Sequence, residues 1–210
     1  MSQTLKQAYD WLMRPALEHV CALGPVMKQR ARLLPRAEGL VLEPGVGTGL
    51  NLPLYDPDKV NSVIGIDPSA PYLEMARKRA SEAPVPVELV QGTAEKLPLE
   101  DNSVDTVLLT YTGCSIPDLD AALAEFRRVL KPSGRVLLCE HGRAREPRVQ
   151  KVQDLLNPVW RPLAGGCNLN RNIAEKLREA GFAIEHMENF YMLPRPKFLS
   201  WLYFGSARPR

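Results

Sequence analysis

The sequence predicts an α/β fold, a mostly parallel sheet of seven strands with helices on both faces. Three observations carry this. Short apolar runs alternate with amphipathic segments from Leu40 to Glu140, the pattern of successive β–α–β units. The largely apolar run Val104–Thr110 suits a strand buried on both faces. Val41-Leu42-Glu43 leads into glycines at positions 45, 47 and 49, as in a strand that hands a bare backbone loop to a ligand. Right-handed crossovers then restrict the topology.

Residues 4–34 read as helical, because Leu5, Ala8, Trp11 and Leu12 recur at helical spacing, with restarts at Pro15 and Gly24-Pro25. Leu40–Glu43 is the first strand, and a helix is expected to begin near Thr48. Val60–Asp67 is the second strand. Ser69–Glu82 is an amphipathic helix with Leu73 and Ala76 inward and Ser69 as its cap. Val85–Val90 and Val104–Thr110 are the third and fourth strands. Leu119–Leu130 is a helix that Lys131-Pro132-Ser133-Gly134 stops, and Arg135–Glu140 is the fifth strand. Beyond it, helices are expected over Val149–Val159 and Asn172–Glu179, with Ala164–Asn170 a loop. Ala183–Tyr191 and Trp201–Ala207 read as the last two strands, joined through the proline-rich Leu193–Lys197.

A chain of 210 residues is expected to form one domain. It divides into an N-terminal helical cap (1–36), a cofactor-binding core (37–145) and an acceptor-side region (146–210). Hydrophobic content of 45% and charged content of 24% are those of an ordinary globule. The net charge of +3 argues against a dedicated nucleic-acid binder. One basic cluster, Lys28, Arg30, Arg32 and Arg36, reads first as a solvated helix face. Its alternative reading is weak docking on an anionic membrane surface. Cys21, Cys114, Cys139 and Cys167 are scattered without a C-x-x-C pair, so no disulfide framework and no metal ligand set is expected, and a reducing cytoplasm fits. No apolar run has the length of a bilayer span, and no signal-peptide pattern opens the chain.

The ligand follows from spacing. Dinucleotide loops want G-x-G-x-x-G, and Leu50 stands where the third glycine would be. Glu43-x-Gly45-x-Gly47-x-Gly49, with Asp67 closing the second strand, resembles the class I methyltransferases that use S-adenosylmethionine (SAM). That resemblance implies a Rossmann-like methyltransferase fold. It also implies that Asp67 accepts from both ribose hydroxyls; the same residue reads as a helix N-cap before Pro68-Ser69. Glu43 either balances the SAM ammonium or holds the glycine loop in shape. Gly92-Thr93-Ala94-Glu95-Lys96-Leu97-Pro98 resembles the family's adenine loop. It departs at Thr93, where an acid is usual, leaving Thr93 or Glu95 to receive the adenine amino group. Asn51, Pro68, Ala94, Thr110 and Tyr111 complete the expected SAM contacts.

In an open parallel sheet the acceptor lies beyond the carboxyl ends of the strands. Strand four runs into Tyr111-Thr112-Gly113-Cys114-Ser115-Ile116-Pro117, without the N/D-P-P-Y/F motif of enzymes that methylate base amines. Strand five ends in Glu140-His141. His141 reads equally as a proton acceptor and as a histidine bonded to the sheet edge. Cys-Ser at 114–115, Glu-His at 140–141, Asn157-Pro158-Val159-Trp160 and Gly165-Gly166-Cys167-Asn168-Leu169 together resemble the small thiol S-methyltransferases of the animal endoplasmic reticulum and their bacterial relatives. This second resemblance covers roughly residues 40–207. It implies a small thiol as acceptor. From their chemistry and their place after strands four and five, His141 is assigned to its deprotonation and Tyr111, Cys114, Trp160, Cys167 and Asn168 to the acceptor pocket. Trp160 reads first as a core aromatic. The animal enzymes carry an apolar anchor, whereas residues 1–36 here are amphipathic. N-methylation of a phospholipid or C-methylation of a quinone precursor is the alternative within the class. A SAM-binding module without chemistry is the alternative outside it.

Overall fold

The computed structural model describes residue 16 and residues 18–210. The expected helical positions at Leu5, Ala8, Trp11, Leu12 and Pro15 lie outside the described residues. Residues 18–21 are helical, and Pro25 in the first turn restarts the chain as helix α1, Gly24–Leu33.

Seven strands form one sheet: β1 (Gly39–Pro44), β2 (Val60–Asp67), β3 (Val87–Gln91), β4 (Val104–Thr110), β5 (Leu130–His141), β6 (Phe182–Tyr191) and β7 (Trp201–Pro209). Their order is β3-β2-β1-β4-β5-β7-β6, with β1 to β5 parallel and β7 antiparallel to both neighbours. This is the expected architecture. Helices α2 (Ala70–Ser81), α3 (Leu119–Val129), α4 (Pro147–Leu163), α5 (Ile173–Glu179) and the single turn α6 (Lys197–Ser200) complete the fold.

Alternate side chains of the central strands serve two cores. Leu42, Val107, Leu109 and Leu138 join Phe126 of α3 and Leu177 of α5 on one face. Val41, Leu108 and Leu137 join Leu33 of α1, Leu73 of α2 and Phe204 of β7 on the other. A period of two with both phases apolar is what double coverage requires.

Four local expectations are corrected. No α-helix begins near Thr48: the chain turns through 45–51 and closes a single 3-10 turn, Leu52–Leu54. Pro53 sits at the start of that turn, where a missing N–H is tolerated, and Pro57 disfavours helical backbone at Asp56, so the turn goes no further. Ser69 does not cap α2 with its hydroxyl, which is buried without a partner among the described residues. Instead Asp67 Oδ1 accepts from the Ser69 N–H at 2.8 Å. Lys131–Gly134 ends α3 but belongs to an irregular extension of β5. Helix α4 is longer than expected and contains Pro158 and Pro162. Their missing N–H groups fall opposite Asp154 and Pro158, both exposed, where water can satisfy the freed carbonyls. No helix among the described residues is long and apolar enough to cross a membrane.

The strand order reverses between β1 and β4, so their carboxyl ends diverge and leave a crevice. The glycine loop and the Tyr111–Ile116 segment both open onto it.

Candidate active site

The glycine loop is braced from beneath by a buried polar network. Glu43 is 3% exposed and Asn51 fully buried. Asn51 Nδ2 donates to Glu43 Oε1 at 2.7 Å and to Thr110 Oγ1 at 2.9 Å, and Tyr55 Oη donates to Glu43 Oε2 at 2.8 Å. Both oxygens of Glu43 therefore accept from the protein's own donors beneath the loop. Arg30 closes the network, its Nη1 donating to Asn51 Oδ1 at 2.9 Å and to Thr110 Oγ1 at 2.8 Å.

Arg30 was expected on a solvated face, and that expectation is corrected. It is 6% exposed, and its guanidinium lies 5.2 Å from the centroid of the Tyr111 ring. Its Nε is buried without a hydrogen-bond partner among the described residues. The rest of the basic cluster is largely as expected. Lys28, Arg32 and Arg36 are exposed, although Arg32 pairs with Glu188 and both arginines stack on Phe204. The sequence signal for Arg30 was available only in its phase: it falls in register with Val26 and Leu33 on the buried side of α1.

Burial pushes the Glu43 carboxyl up to about 7, against the hydrogen bonds from Tyr55 and Asn51 and the nearby Arg30 charge. A raised carboxyl in the folded state binds a proton that the unfolded chain has released, so this group's contribution falls as pH rises from about 4.5 to 7. Glu43→Gln is expected to flatten that slope. The difference in urea unfolding free energy between pH 5 and pH 8 should shrink by about 2–3 kcal/mol. An unchanged difference would exclude a buried, titrating Glu43.

The loop's three glycines have φ of +66°, +55° and +80°. At Gly45 a Cβ would lie 2.2 Å from Thr112 Cγ2, so that glycine is fixed by packing. At Gly47 a Cβ would meet nothing closer than 3.9 Å, so this stretch of backbone borders open space. Asp67, 7% exposed, orients the same stretch, accepting from the Gly47 N–H at 3.0 Å. The adenine-loop candidates sit beside it. Gly92 N–H bonds the Asp67 carbonyl at 3.2 Å, and Gln91 Nε2 approaches the Pro68 carbonyl at 3.4 Å. Ala94 is buried, Thr93 exposed, and Glu95 Oε1 accepts from the Asp118 N–H. A bare backbone edge, an oriented carboxylate and an unpartnered buried guanidinium nitrogen fit a ligand with ribose hydroxyls and an amino-acid carboxylate, as SAM has.

On the β5 side the fold gathers residues that the chain keeps far apart. Glu140 is fully buried and its oxygens accept from the Thr112 N–H at 2.7 Å and the Cys114 N–H at 3.3 Å, fixing the loop after β4. Burial, with a further push from the neighbouring Cys114 sulfur, raises its carboxyl to about 8. Asn168 donates to the Cys114 carbonyl through its N–H at 2.9 Å and its Nδ2 at 2.8 Å. Arg171 Nη1 donates to the carbonyls of Gly113 and Ile116. The 164–172 loop is thereby sewn onto the 111–116 loop.

This brings Cys167 against His141, with 2.8 Å between Sγ and Nε2, and the Trp160 indole N–H donates to the same sulfur at 3.3 Å. Burial pulls the imidazole down, but the Cys114 sulfur and Glu140 more than offset this, so His141 is held above its ordinary value. The Cys167 thiol and the His141 imidazole favour a thiolate at Cys114. Hydrogen bonding to Cys114 and burial push the Cys167 thiol up. His141 Nδ1 is buried without a partner among the described residues. Four of the five expected acceptor residues, Cys114, Trp160, Cys167 and Asn168, thus converge with His141. Tyr111 does not join them: its ring turns to Arg30, and its Oη lies 3.4 Å from Cys139 Sγ, on the opposite core.

Comparison with known proteins gives the family and the fold. The methyltransferase domain profile matches residues 42–138. Thiol S-methyltransferase TMT1B of Rattus norvegicus is 31% identical over 174 residues, covering 80% of this chain and 68% of that protein. The mitochondrial methyltransferase OMS1 of Saccharomyces cerevisiae is 34% identical over 182 residues, 78% of this chain and 37% of its own length. A phosphatidylethanolamine N-methyltransferase of Cereibacter sphaeroides is 40% identical over 105 residues, 49% of this chain and 51% of that one. The chain therefore spans between about a third and two thirds of these relatives. The crystal structure of YcgJ from Bacillus subtilis superposes with a TM-score of 0.66 at 21% identity, covering 87% of this chain and 96% of that one, and shows the same fold.

Proposed function

Since the chain belongs to the class I SAM-dependent methyltransferases, an enzyme family, we propose that it transfers the methyl group of SAM to a small thiol. The observation that carries this reading is the imidazole of His141 at the carboxyl end of β5, holding a sulfur atom 2.8 Å from Nε2. A site that already presents a ring nitrogen to one thiol suits a second thiol as acceptor.

In this reading Asp67 takes the ribose hydroxyls, the backbone at Gly47 lies along the ligand, and Pro68, Thr93 and Ala94 border the base. Glu43, Asn51 and Thr110 hold the loop, and Arg30 pairs with the methionyl carboxylate. SAM supplies the methyl group on a sulfonium centre. His141 accepts the thiol proton at Nε2, and the loops around Cys114 and Asn168 hold the acceptor sulfur in line with the methyl carbon, about 3–3.5 Å away. A thiol with a pKa of about 8.5 is only partly ionised at neutral pH, which is where a base helps most. The four cysteines are free thiols, which suits the reducing cytoplasm.

A second reading rests on helix α4, whose Val152, Leu155, Val159 and Leu163 form an exposed apolar stripe, Leu155 at 77% exposure. Such a stripe suits contact with a lipid surface and hence a phospholipid or quinone acceptor. One panel separates the readings: labelled SAM with alkyl thiols, with phosphatidylethanolamine vesicles and with quinols. Thiol methylation in vesicle-free buffer is expected. His141→Gln should lower its rate about 100-fold near pH 7, and less at pH values above the thiol's own pKa. A variant that keeps both rate and pH profile would remove His141 as the base. Methylation confined to vesicles would favour the second reading.

A further inference from the structure

We propose that Cys114, His141 and Cys167 form a binding site for a thiophilic divalent cation of the zinc class, with a fourth position open to the acceptor sulfur. The three residues come from the loop after β4, the end of β5 and the loop after α4. One ligand atom from each, two sulfurs and a ring nitrogen, lies within 4.8 Å of the other two. A tetrahedral zinc ion, with bonds of about 2.0–2.3 Å, sets its ligand atoms about 3.3–3.8 Å apart. The 2.8 Å contact between His141 and Cys167 and the 4.8 Å outer limit bracket that spacing. Two thiolates and an imidazole are the donors that zinc selects over harder cations.

The surroundings suit a metal centre better than a chance meeting of core side chains. The Trp160 N–H donates to the Cys167 sulfur, and Ser115 Oγ lies 3.5 Å from the Cys114 sulfur. A donor aimed at a thiolate, as the Trp160 N–H is, is what an outer coordination shell provides, and the Cys114 thiol, which donates to the Tyr111 carbonyl at 3.8 Å, would give up that proton to the ion. The double bond from Asn168 to the Cys114 carbonyl fixes the two cysteine loops to one another, so the ligands are set before any ion arrives. Among the described residues no fourth Cys, His, Asp or Glu joins the group. Glu140, next to His141 in the chain, has both oxygens on backbone N–H groups instead. Three protein ligands and a vacant fourth position are the arrangement of catalytic rather than structural zinc.

The open position rests on the thiol reading above; the cation site itself does not. With the ion bound, His141 is a ligand and no longer the base it is in the metal-free reading, so an entering R–SH gives its proton to water as its sulfur joins the metal. That sulfur then forms a bond to the methyl carbon while the carbon–sulfonium bond breaks. The electron pair of the broken bond stays on the departing thioether, and the methylated product leaves as a neutral, weaker ligand.

The test uses the full chain, reduced and stripped of metal, titrated with cobalt(II). Intense visible bands of tetrahedral cobalt, with thiolate-to-cobalt charge transfer in the near ultraviolet, are expected to saturate at about one ion per chain and to vanish when zinc is added. Cys167→Ser and His141→Gln should each weaken or abolish them, whereas Cys21→Ser, a half-buried cysteine outside the cluster, should leave them intact. Cys114 is buried enough that its substitution endangers folding, so the wild-type spectrum and its displacement by zinc stand without it. Addition of a small alkyl thiol should then shift the cobalt bands. Absence of thiolate bands in the reduced wild type, or bands indifferent to Cys167→Ser, overturns the site. So does a protein that forms a Cys114–Cys167 disulfide in air yet takes up no cobalt when reduced. Thiol methylation by metal-free protein without cobalt bands would sink the site and keep the function. Cobalt bands without methylation of any thiol would do the reverse.

Discussion

Asp67→Ala is expected to weaken SAM binding on the order of 100-fold, measured by calorimetry, while the chain stays folded. The carboxylate stands at the end of β2, 7% exposed, and orients the loop through the Gly47 N–H. A charged acceptor shared by two ribose hydroxyls contributes about 1.5–3 kcal/mol for each bond. Losing both would exceed 100-fold, but water entering the gap returns part of it. The bond to the Ser69 N–H is lost as well, so a modest fall in melting temperature accompanies the change. Asp67→Asn, which keeps one acceptor oxygen, should fall between the two. Unchanged affinity in Asp67→Ala would mean that the ligand does not lie along this strand end, and the cofactor assignment of the glycine loop would fall with it.

Arg30→Met carries the other large effect, on stability as well as binding. Its guanidinium supplies both Asn51 Oδ1 and Thr110 Oγ1, and its charge helps keep the Glu43 carboxyl from rising further. Two bonds from a charged donor, each contributing about 1.5–3 kcal/mol, are lost, so the cost is about 3–5 kcal/mol once relaxation returns part of it. For a chain of this size that is a fall in melting temperature of roughly 6–20 °C. SAM affinity should fall too, since the same group is the proposed partner of the methionyl carboxylate. Arg32→Met, two residues on and paired with Glu188 at the surface, should change stability by less than about 1 kcal/mol. Scanning calorimetry of the two variants side by side decides the matter. Equal melting points would show that the bonds from Arg30 to Asn51 and Thr110 add nothing to stability.

The contrast between Arg30 and Arg32 shows where reading the chain stops. As residues they are alike, and a basic cluster on a helix reads as a solvated face. Only the phase of α1 against the sheet sends one inward to Asn51 and leaves the other on Phe204. The helix expected near Thr48 failed for a different reason. Its signals were the glycines, while Pro57, further on, keeps Asp56 out of helical backbone and stops the turn at Leu52–Leu54 from continuing. Ser69 looked like a cap, yet Asp67 took the N–H, because a strand end already held in the sheet presents its carboxylate in a fixed direction.

The strands, their parallel arrangement and the glycine loop were legible from one-dimensional pattern because each depends on neighbours close in sequence. Apolar period, glycines at positive φ and an acid closing a strand are local requirements, and local requirements leave a local trace. Cys114, His141 and Cys167 each read as acceptor-side residues, yet nothing in the sequence marks them as one cluster. Its members lie more than twenty residues apart, with no spacing that marks a ligand set, and their meeting depends on three loops converging at one edge of the sheet. That convergence is decided by β5 lying between β4 and β7, and by Asn168 and Arg171 tying one loop to another. Long-range closure of this kind is set by the packing of whole elements, so it becomes visible only when the chain is folded.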